Sequence, residues 1–200
     1  MREGFPIARA GQTIGLLGGS FDPAHRGHVA ISKAALQRFG VDRIWWLVSP
    51  GNPLKAEGPA PMARRLAAAR LLVTDPRILV TDLEQRIGTR FTAQTLEYLQ
   101  SLYPGVHFSW IMGADNLAGF HRWERWPSIV ARVPIGVLAR PGVPIWTRTA
   151  RAARLYRRAR LKTSQSHLLA RAVPPAWCYV PMPMQHVSST EIRDRGAWRR

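Results

Sequence analysis

Apolar residues in this chain gather into two kinds of segment. Ile14 to Leu17, Arg43 to Val48, Ile78 to Val80, Val106 to Met112 and Pro134 to Leu138 are short and nearly continuous, and Tyr179-Val180 adds a last one. Runs of this length read as strands buried on both faces. Between them the apolar positions take helical spacing. Val29, Ala30, Ile31, Ala34, Ala35 and Leu36 form one such pattern, and Met62 to Val73 another, stopped by Asp75-Pro76. Thr92 to Leu102 repeats it at Leu96, Leu99 and Leu102 before Tyr103-Pro104-Gly105, and Ile129 to Val133 ends a shorter helix. Strands alternating with helices predict an α/β fold: a mostly parallel sheet with helices on both faces. No repeat, low-complexity tract or composition shift marks a second domain. The 200 residues therefore read as one domain, with a core from about residue 12 to 195, a short N-terminal extension and a basic C-terminal tail.

In such a sheet the loops that follow the strands collect at one edge. The segments with candidate chemistry fall on those loops. Gly18 to His28 follows the first strand, Ser49 to Lys55 the second, and Gly113-Ala114-Asp115 the strand ending at Met112.

The first loop, Gly18-Gly19-Ser20-Phe21-Asp22-Pro23-Ala24-His25-Arg26-Gly27-His28, carries the strongest signal. Glycine lets backbone N–H groups approach an anion, and a helix N-terminus favours negative charge. His25 and His28 are three apart and face the same way on the first helical turn. Together they make a phosphate site. Neither Gly-x-x-x-x-Gly-Lys-Ser/Thr nor Gly-x-Gly-x-x-Gly is formed. A zinc site is excluded because no other Cys or carboxylate pair lies at ligand spacing and Cys178 is the sole cysteine.

Composition narrows the class. No apolar run approaches the ~20 residues of a membrane helix. Met1 to Ala10 carries Arg2, Glu3 and Arg9 without an apolar stretch, so it does not read as a signal peptide. One cysteine fits a reducing cytoplasm. The formal charge of +17 suits an enzyme that collects anionic substrates. Arg148, Arg151, Arg154, Arg157, Arg158, Arg160 and Lys162 crowd one expected surface helix, and Arg193, Arg195, Arg199 and Arg200 crowd the C-terminus. A solvated face explains the first cluster at least as well as a binding role, so nucleic acid is not expected as a partner.

The eleven-residue loop resembles the nucleotidyltransferase signature Gly-Gly-(Ser/Thr)-Phe-Asp-Pro-x-His-x-Gly-His, most closely that of the bacterial nicotinate-nucleotide adenylyltransferases. The resemblance implies a Rossmann-like doubly wound sheet, with Gly18, Gly19, Ser20, Phe21, His25 and His28 at ATP. Val187-Ser188-Ser189-Thr190-Glu191-Ile192-Arg193 is similar to the family's second phosphate element, which implies ATP contacts for Ser188, Ser189, Thr190 and Arg193. Ser188 with Glu191 is also a capping box that begins a helix whatever the function. Lys55 resembles the basic residue of the family's second loop, with Asn52 beside it, although Pro50 and Pro53 stand one residue closer than in the common pattern.

Arg90-Phe91-Thr92-Ala93-Gln94-Thr95-Leu96 resembles the element that holds the nicotinate. Thr92 reads equally well as a helix N-cap, and the two roles are compatible. Asp115 resembles the acidic residue that meets the mononucleotide, and Trp123 the tryptophan that stacks on the pyridine ring, with Glu124 departing from the usual next residue. Trp45, Trp46 and Trp110 lie on strands and read as core.

By this resemblance the chain transfers an adenylyl group from ATP to nicotinate mononucleotide, giving deamido-NAD and pyrophosphate. His25, His28, Lys55 and Arg193 would stabilise charge, and Mg²⁺ would come bound through the ATP phosphates. The signature also serves phosphopantetheine and glycerol-phosphate nucleotidyltransferases, and nicotinamide mononucleotide is a further possible acceptor. Thr92, Asp115 and Trp123 favour a pyridine nucleotide. Sequence leaves the choice of acid over amide, and the oligomeric state, open.

Overall fold

The computed structural model describes residues 4–51, 58–139, 149–182 and 189–198. Within them the apolar runs become β1 (Thr13–Gly19), β2 (Arg43–Val48), β3 (Ile78–Thr81), β4 (His107–Gly113) and β5 (Ile135–Ala139), and Tyr179-Val180 lies in β7 (Trp177–Pro181). β6 (Arg160–Leu161) is a further, two-residue strand that the hydrophobic pattern does not reveal. All pairings are parallel, in the order β3-β2-β1-β4-β5-β7-β6. The order reverses between β1 and β4, where a doubly wound sheet opens a crevice at the carboxyl ends of its strands.

Both faces of the sheet are covered, which is why its strands are apolar throughout rather than alternating. On one face Leu16, Trp45, Leu47, Phe108, Trp110 and Val137 pack beneath α4 (Thr92–Leu102), α5 (Ala114–Gly119) and α6 (Trp126–Arg132). On the other, Leu17, Ile44, Trp46, Val48, Val80 and Ile111 meet α1 (Arg26–Arg38) and α2 (Met62–Leu72). Trp45, Trp46 and Trp110 are buried as expected of strand residues.

The arginine-rich segment departs from a single surface helix. Among the described residues its α-helix spans Arg151–Leu155 (α7), followed by a 3₁₀ turn at Arg157–Ala159 and then β6. Two contacts end the helix. Trp177 Nε1 donates to the Tyr156 carbonyl at 2.8 Å, and Arg160 aligns with Trp177 in the sheet, its guanidinium over that ring at 5.2 Å. Ala152 and Ala153 meanwhile bury the inner side of α7. Two short helices, α3 (Leu83–Arg86) and α8 (Ser189–Asp194), complete the positioning of the site.

Candidate active site

The loop between β1 and α1 stands at the reversal point. Ser49 N donates to the Gly19 carbonyl at 2.9 Å, which fixes the ends of β1 and β2 side by side. The parallel register pairs Leu17 with Ile111, so Gly19 continues to the level of Gly113 on β4. Three candidate loops thus open on one edge.

His25 is the N-cap of α1, and the two histidines are wired into its first turn. His25 Nδ1 accepts from Gly27 N at 3.1 Å, and His28 Nδ1 accepts from His25 N at 3.1 Å. An imidazole nitrogen that accepts carries no proton, so each ring bears its proton on Nε2. Each is therefore a neutral hydrogen-bond donor held in one tautomer. Their rings lie 3.9 Å apart, and Phe21 touches His28 at 4.7 Å while stacking on Trp46 at 4.7 Å. Trp46 is anchored in turn, donating to Ser32 Oγ at 2.7 Å. Phe21 is 1% exposed and adopts φ 46°, a left-handed conformation costly for a side chain of its size. Its buried ring between Trp46 and His28 offsets that cost.

Gly18 answers a packing demand. A Cβ there would stand 2.5 and 2.8 Å from Cη2 and Cζ2 of Trp110, whose ring is already edge-on to Trp123 at 5.9 Å. At Gly19 the nearest atom, Phe21 Cε2, is 3.4 Å away. Gly18→Ala should therefore cost about 1–3 kcal/mol through overpacking, whereas Gly19→Ala leaves stability nearly unchanged. Thermal melts of the two variants check this; equal losses would contradict it.

Beneath the loop lies a residue that the sequence did not single out. Arg65 of α2 is 1% exposed. Its Nε donates to the Ala60 carbonyl at 2.7 Å, and its Nη1 to the carbonyls of Ser20 at 2.7 Å and Ser49 at 2.8 Å. It cross-braces the loops after β1 and β2. Burial lowers its pKa, while the nearby Asp22 carboxylate opposes that shift. Asp22 is itself 2% exposed and accepts from Trp198 Nε1 at 2.7 Å, and Arg64 lies over the Trp198 ring at 4.2 Å.

The two segments that the sequence reads as phosphate elements meet here, although 171 residues separate Asp22 from Arg193. Ser189 Oγ donates to the Pro23 carbonyl at 2.9 Å. Arg193 Nη1 donates to the Asp22 carbonyl, its Nη2 to Thr190 Oγ1 at 3.1 Å, and its guanidinium stands 4.0 Å from the Asp22 carboxylate. Ser188, Val187, Asn52 and Lys55 lie outside the described residues.

Thr92 is the first residue of α4 and not its cap. Phe91 takes the N-cap position, its carbonyl accepting from Thr95 N at 3.0 Å, while Thr89 Oγ1 accepts from Phe91 N at 3.2 Å and donates to Gln94 Oε1 at 2.8 Å. Beside this turn opens a cavity of about 330 Å³ lined by Pro50, Glu84, Thr89, Arg90, Phe91 and Gln94. Thr92, Asp115 and Trp123 are not among its lining residues. Asp115 is exposed in the first turn of α5, folded back over Gly113, where a Cβ would collide with its carboxylate. Trp123 is half-buried, edge-on to Phe120 at 5.2 Å. Glu97 of α4 pairs with Arg125 at 2.7 Å and Arg132 at 2.9 Å, tying the helix of Thr92 to the segment of Trp123.

Glu84 was also missed. It is 3% exposed, and its carboxyl meets the hydroxyls of Thr95, at 3.1 Å, and Ser49. Burial pushes its pKa up to about 7, against the smaller pull of those two hydrogen bonds. The folded protein therefore holds a proton that the unfolded chain releases near 4.5. Stability from this group is complete below pH 4.5 and is lost as pH rises through 7, on the order of 3 kcal/mol in full. A fall in Tm between pH 5 and 8 that Glu84→Gln flattens is the expected result; an unchanged slope in that variant contradicts it.

Among the described residues no three His, Cys, Asp or Glu side chains converge as a metal site, and no helix is long and apolar enough to cross a membrane. Residues 16–195 match the cytidylyltransferase-like family. A probable nicotinate-nucleotide adenylyltransferase of Roseobacter denitrificans is 59% identical over 198 residues, covering 99% of this chain and 100% of that protein. A protein of the same description from Cereibacter sphaeroides is 62% identical over 186 residues, 93% of this chain and 98% of that one. The fold matches the Plasmodium falciparum nicotinic acid mononucleotide adenylyltransferase complexed with NaAD at a TM-score of 0.68 and 18% identity, over 92% of this chain and 83% of that one.

Proposed function

The chain belongs to the nicotinate-nucleotide adenylyltransferases of the cytidylyltransferase-like family, and on that premise we propose that it joins ATP and nicotinate mononucleotide into deamido-NAD, a step of NAD biosynthesis. The mononucleotide's 5′-phosphate oxygen attacks the α-phosphorus of ATP in line. The new P–O bond forms as the bond from the α-phosphorus to the bridging oxygen breaks, and pyrophosphate leaves with that electron pair. A phosphate monoester is already a competent nucleophile, so neither a general base nor a covalent enzyme intermediate is needed. What remains for the protein is positioning and charge stabilisation.

The observation that carries this reading is the pair of imidazoles at the start of α1, each committed through Nδ1 to a backbone N–H. Their Nε2–H groups donate to phosphate oxygens, and the α1 N-terminus adds its partial positive charge. Gly18, Gly19 and Ser20 bring backbone to the phosphates, and Phe21 acts through His28. Ser189, Thr190 and Arg193 close the other side, Arg193 keeping N–H groups beyond the two bonds it makes to Asp22 and Thr190. Ser188, Asn52 and Lys55 join them by resemblance. The substrate would be Mg·ATP, the ion entering with the nucleotide. Thr92, Asp115 and Trp123 serve the acceptor, Trp123 against its pyridine ring. The compartment is the cytoplasm.

The test is product analysis with Mg·ATP and nicotinate mononucleotide. One deamido-NAD and one pyrophosphate per ATP consumed is the expected outcome. Hydrolysis of ATP without a dinucleotide product would overturn the reading.

A further inference from the structure

The acceptor machinery named so far leaves Glu84 unused, yet this buried carboxyl joins both loops that border the 330 Å³ cavity. Ser49 Oγ, at the end of β2, bonds it on one side, and Thr95 Oγ1 of α4 bonds it at 3.1 Å on the other. Each hydroxyl also reaches a backbone carbonyl. Ser49 Oγ is 2.7 Å from Gly51 O, and Thr95 Oγ1 is 3.2 Å from Phe91 O. Two hydroxyl protons thus face four acceptor contacts. A third proton, on Glu84, lets Thr95 accept from the acid and donate to Phe91 O. Without it, the carboxylate draws both hydroxyls to itself, since bonds to a charged acceptor are the stronger ones. Gly51 and Phe91 then lose the hydroxyls that hold the two loops.

We propose that Glu84 is a positioning residue for the acceptor: as a neutral acid it lets Ser49 and Thr95 hold residues 49–51 and 89–92 in the form that binds the mononucleotide. This rests on the assignment of nicotinate mononucleotide as acceptor. The ionised form loosens the pocket and adds negative charge beside a substrate that already carries a carboxylate and a phosphate. Among the described residues no cation is set against that charge. Arg90 lines the cavity but lies over the Phe91 ring at 5.4 Å, Arg86 is paired with Asp82 at 2.7 Å, and among the described residues burial and the two hydroxyls alone govern the Glu84 proton.

The test is steady-state kinetics of the full chain from pH 6 to 9, with KM for each substrate and kcat resolved separately. Wild-type turnover with nicotinate mononucleotide is the first requirement; its absence sinks the functional reading itself. Given turnover, KM for the mononucleotide should rise about tenfold across that range, with KM for ATP unmoved. Glu84→Gln, an isosteric neutral side chain, should keep KM low throughout. Thr95→Val should raise it at every pH, and Thr95→Ser should restore the wild-type profile. The substrate's own phosphate titrates near pH 6 in every variant, so the difference between curves isolates Glu84. A merely structural Glu84 would shift Tm and leave the KM profile of Glu84→Gln parallel to wild type. That outcome, or an equal rise in KM for ATP, overturns the proposal.

Discussion

Replacing His28 with alanine should lower kcat by about 10²–10³, the effect of removing one preorganised donor from a developing charge, or roughly 3–4 kcal/mol. The structure adds a second consequence. His28 Nδ1 also closes the α1 capping box by accepting from His25 N, so the alanine variant loses about 1 kcal/mol of stability as well. Asparagine separates the two effects. Its Oδ1 occupies the place of Nδ1 and can keep the cap, but nothing reaches as far as Nε2. His28→Asn should therefore melt close to wild type and still turn over slowly. If His28→Asn recovers wild-type kcat, the donor role of Nε2 is wrong. If His28→Ala is fully active with the fold intact, the mechanism as a whole is wrong.

Arg65→Ala is the variant with the largest expected loss of stability. It removes the donors to three backbone carbonyls, of Ala60, Ser20 and Ser49, and leaves buried Asp22 without one of its nearby positive charges. Removing one side of a buried charged arrangement typically costs about 3–5 kcal/mol. For a chain of this size that is a Tm lower by roughly 6–20 °C. Activity should fall with it, because Ser20 and Ser49 carry the loops proposed to meet the phosphates and the acceptor. Lysine supplies one compact donor group in place of the guanidinium fork, so Arg65→Lys should recover only part of the loss. A melt within 1 kcal/mol of wild type for Arg65→Ala would show that the brace is dispensable.

The difference between what the sequence discloses and what it conceals follows physical lines. The main strands are legible because burial on both faces makes them continuous apolar runs, and α4 because Leu96 and Leu99 repeat at helical spacing into the core. β6 is hidden because two residues between arginines and a lysine carry no period; only its pairing with Trp177 and Cys178 makes it a strand. In the site, His25 and His28 declare themselves through glycines and a three-residue spacing that a helix converts into one face. Arg65 cannot be found that way. Arg64 precedes it in the same helix with the same chemistry, and only the fold turns one guanidinium inward and lays the other over Trp198. Thr92 shows the limit of local rules: a good capping residue lies inside the helix because the first intrahelical bond, from Thr95 N, reaches the carbonyl of Phe91 before it. Glu84 had a faint signal, an acid one residue past the first position of a short helix, but nothing in the sequence sets it between two hydroxyls.

The reaction and its acceptor stand or fall together. Pyrophosphate release from Mg·ATP, measured in parallel with nicotinate mononucleotide, nicotinamide mononucleotide and phosphopantetheine, tests both at once. Release should strongly prefer nicotinate mononucleotide. Release with phosphopantetheine instead would keep the phosphate chemistry of His25 and His28 and contradict the acceptor roles given to Thr92, Asp115 and Trp123; no release with any of the three would contradict adenylyl transfer itself.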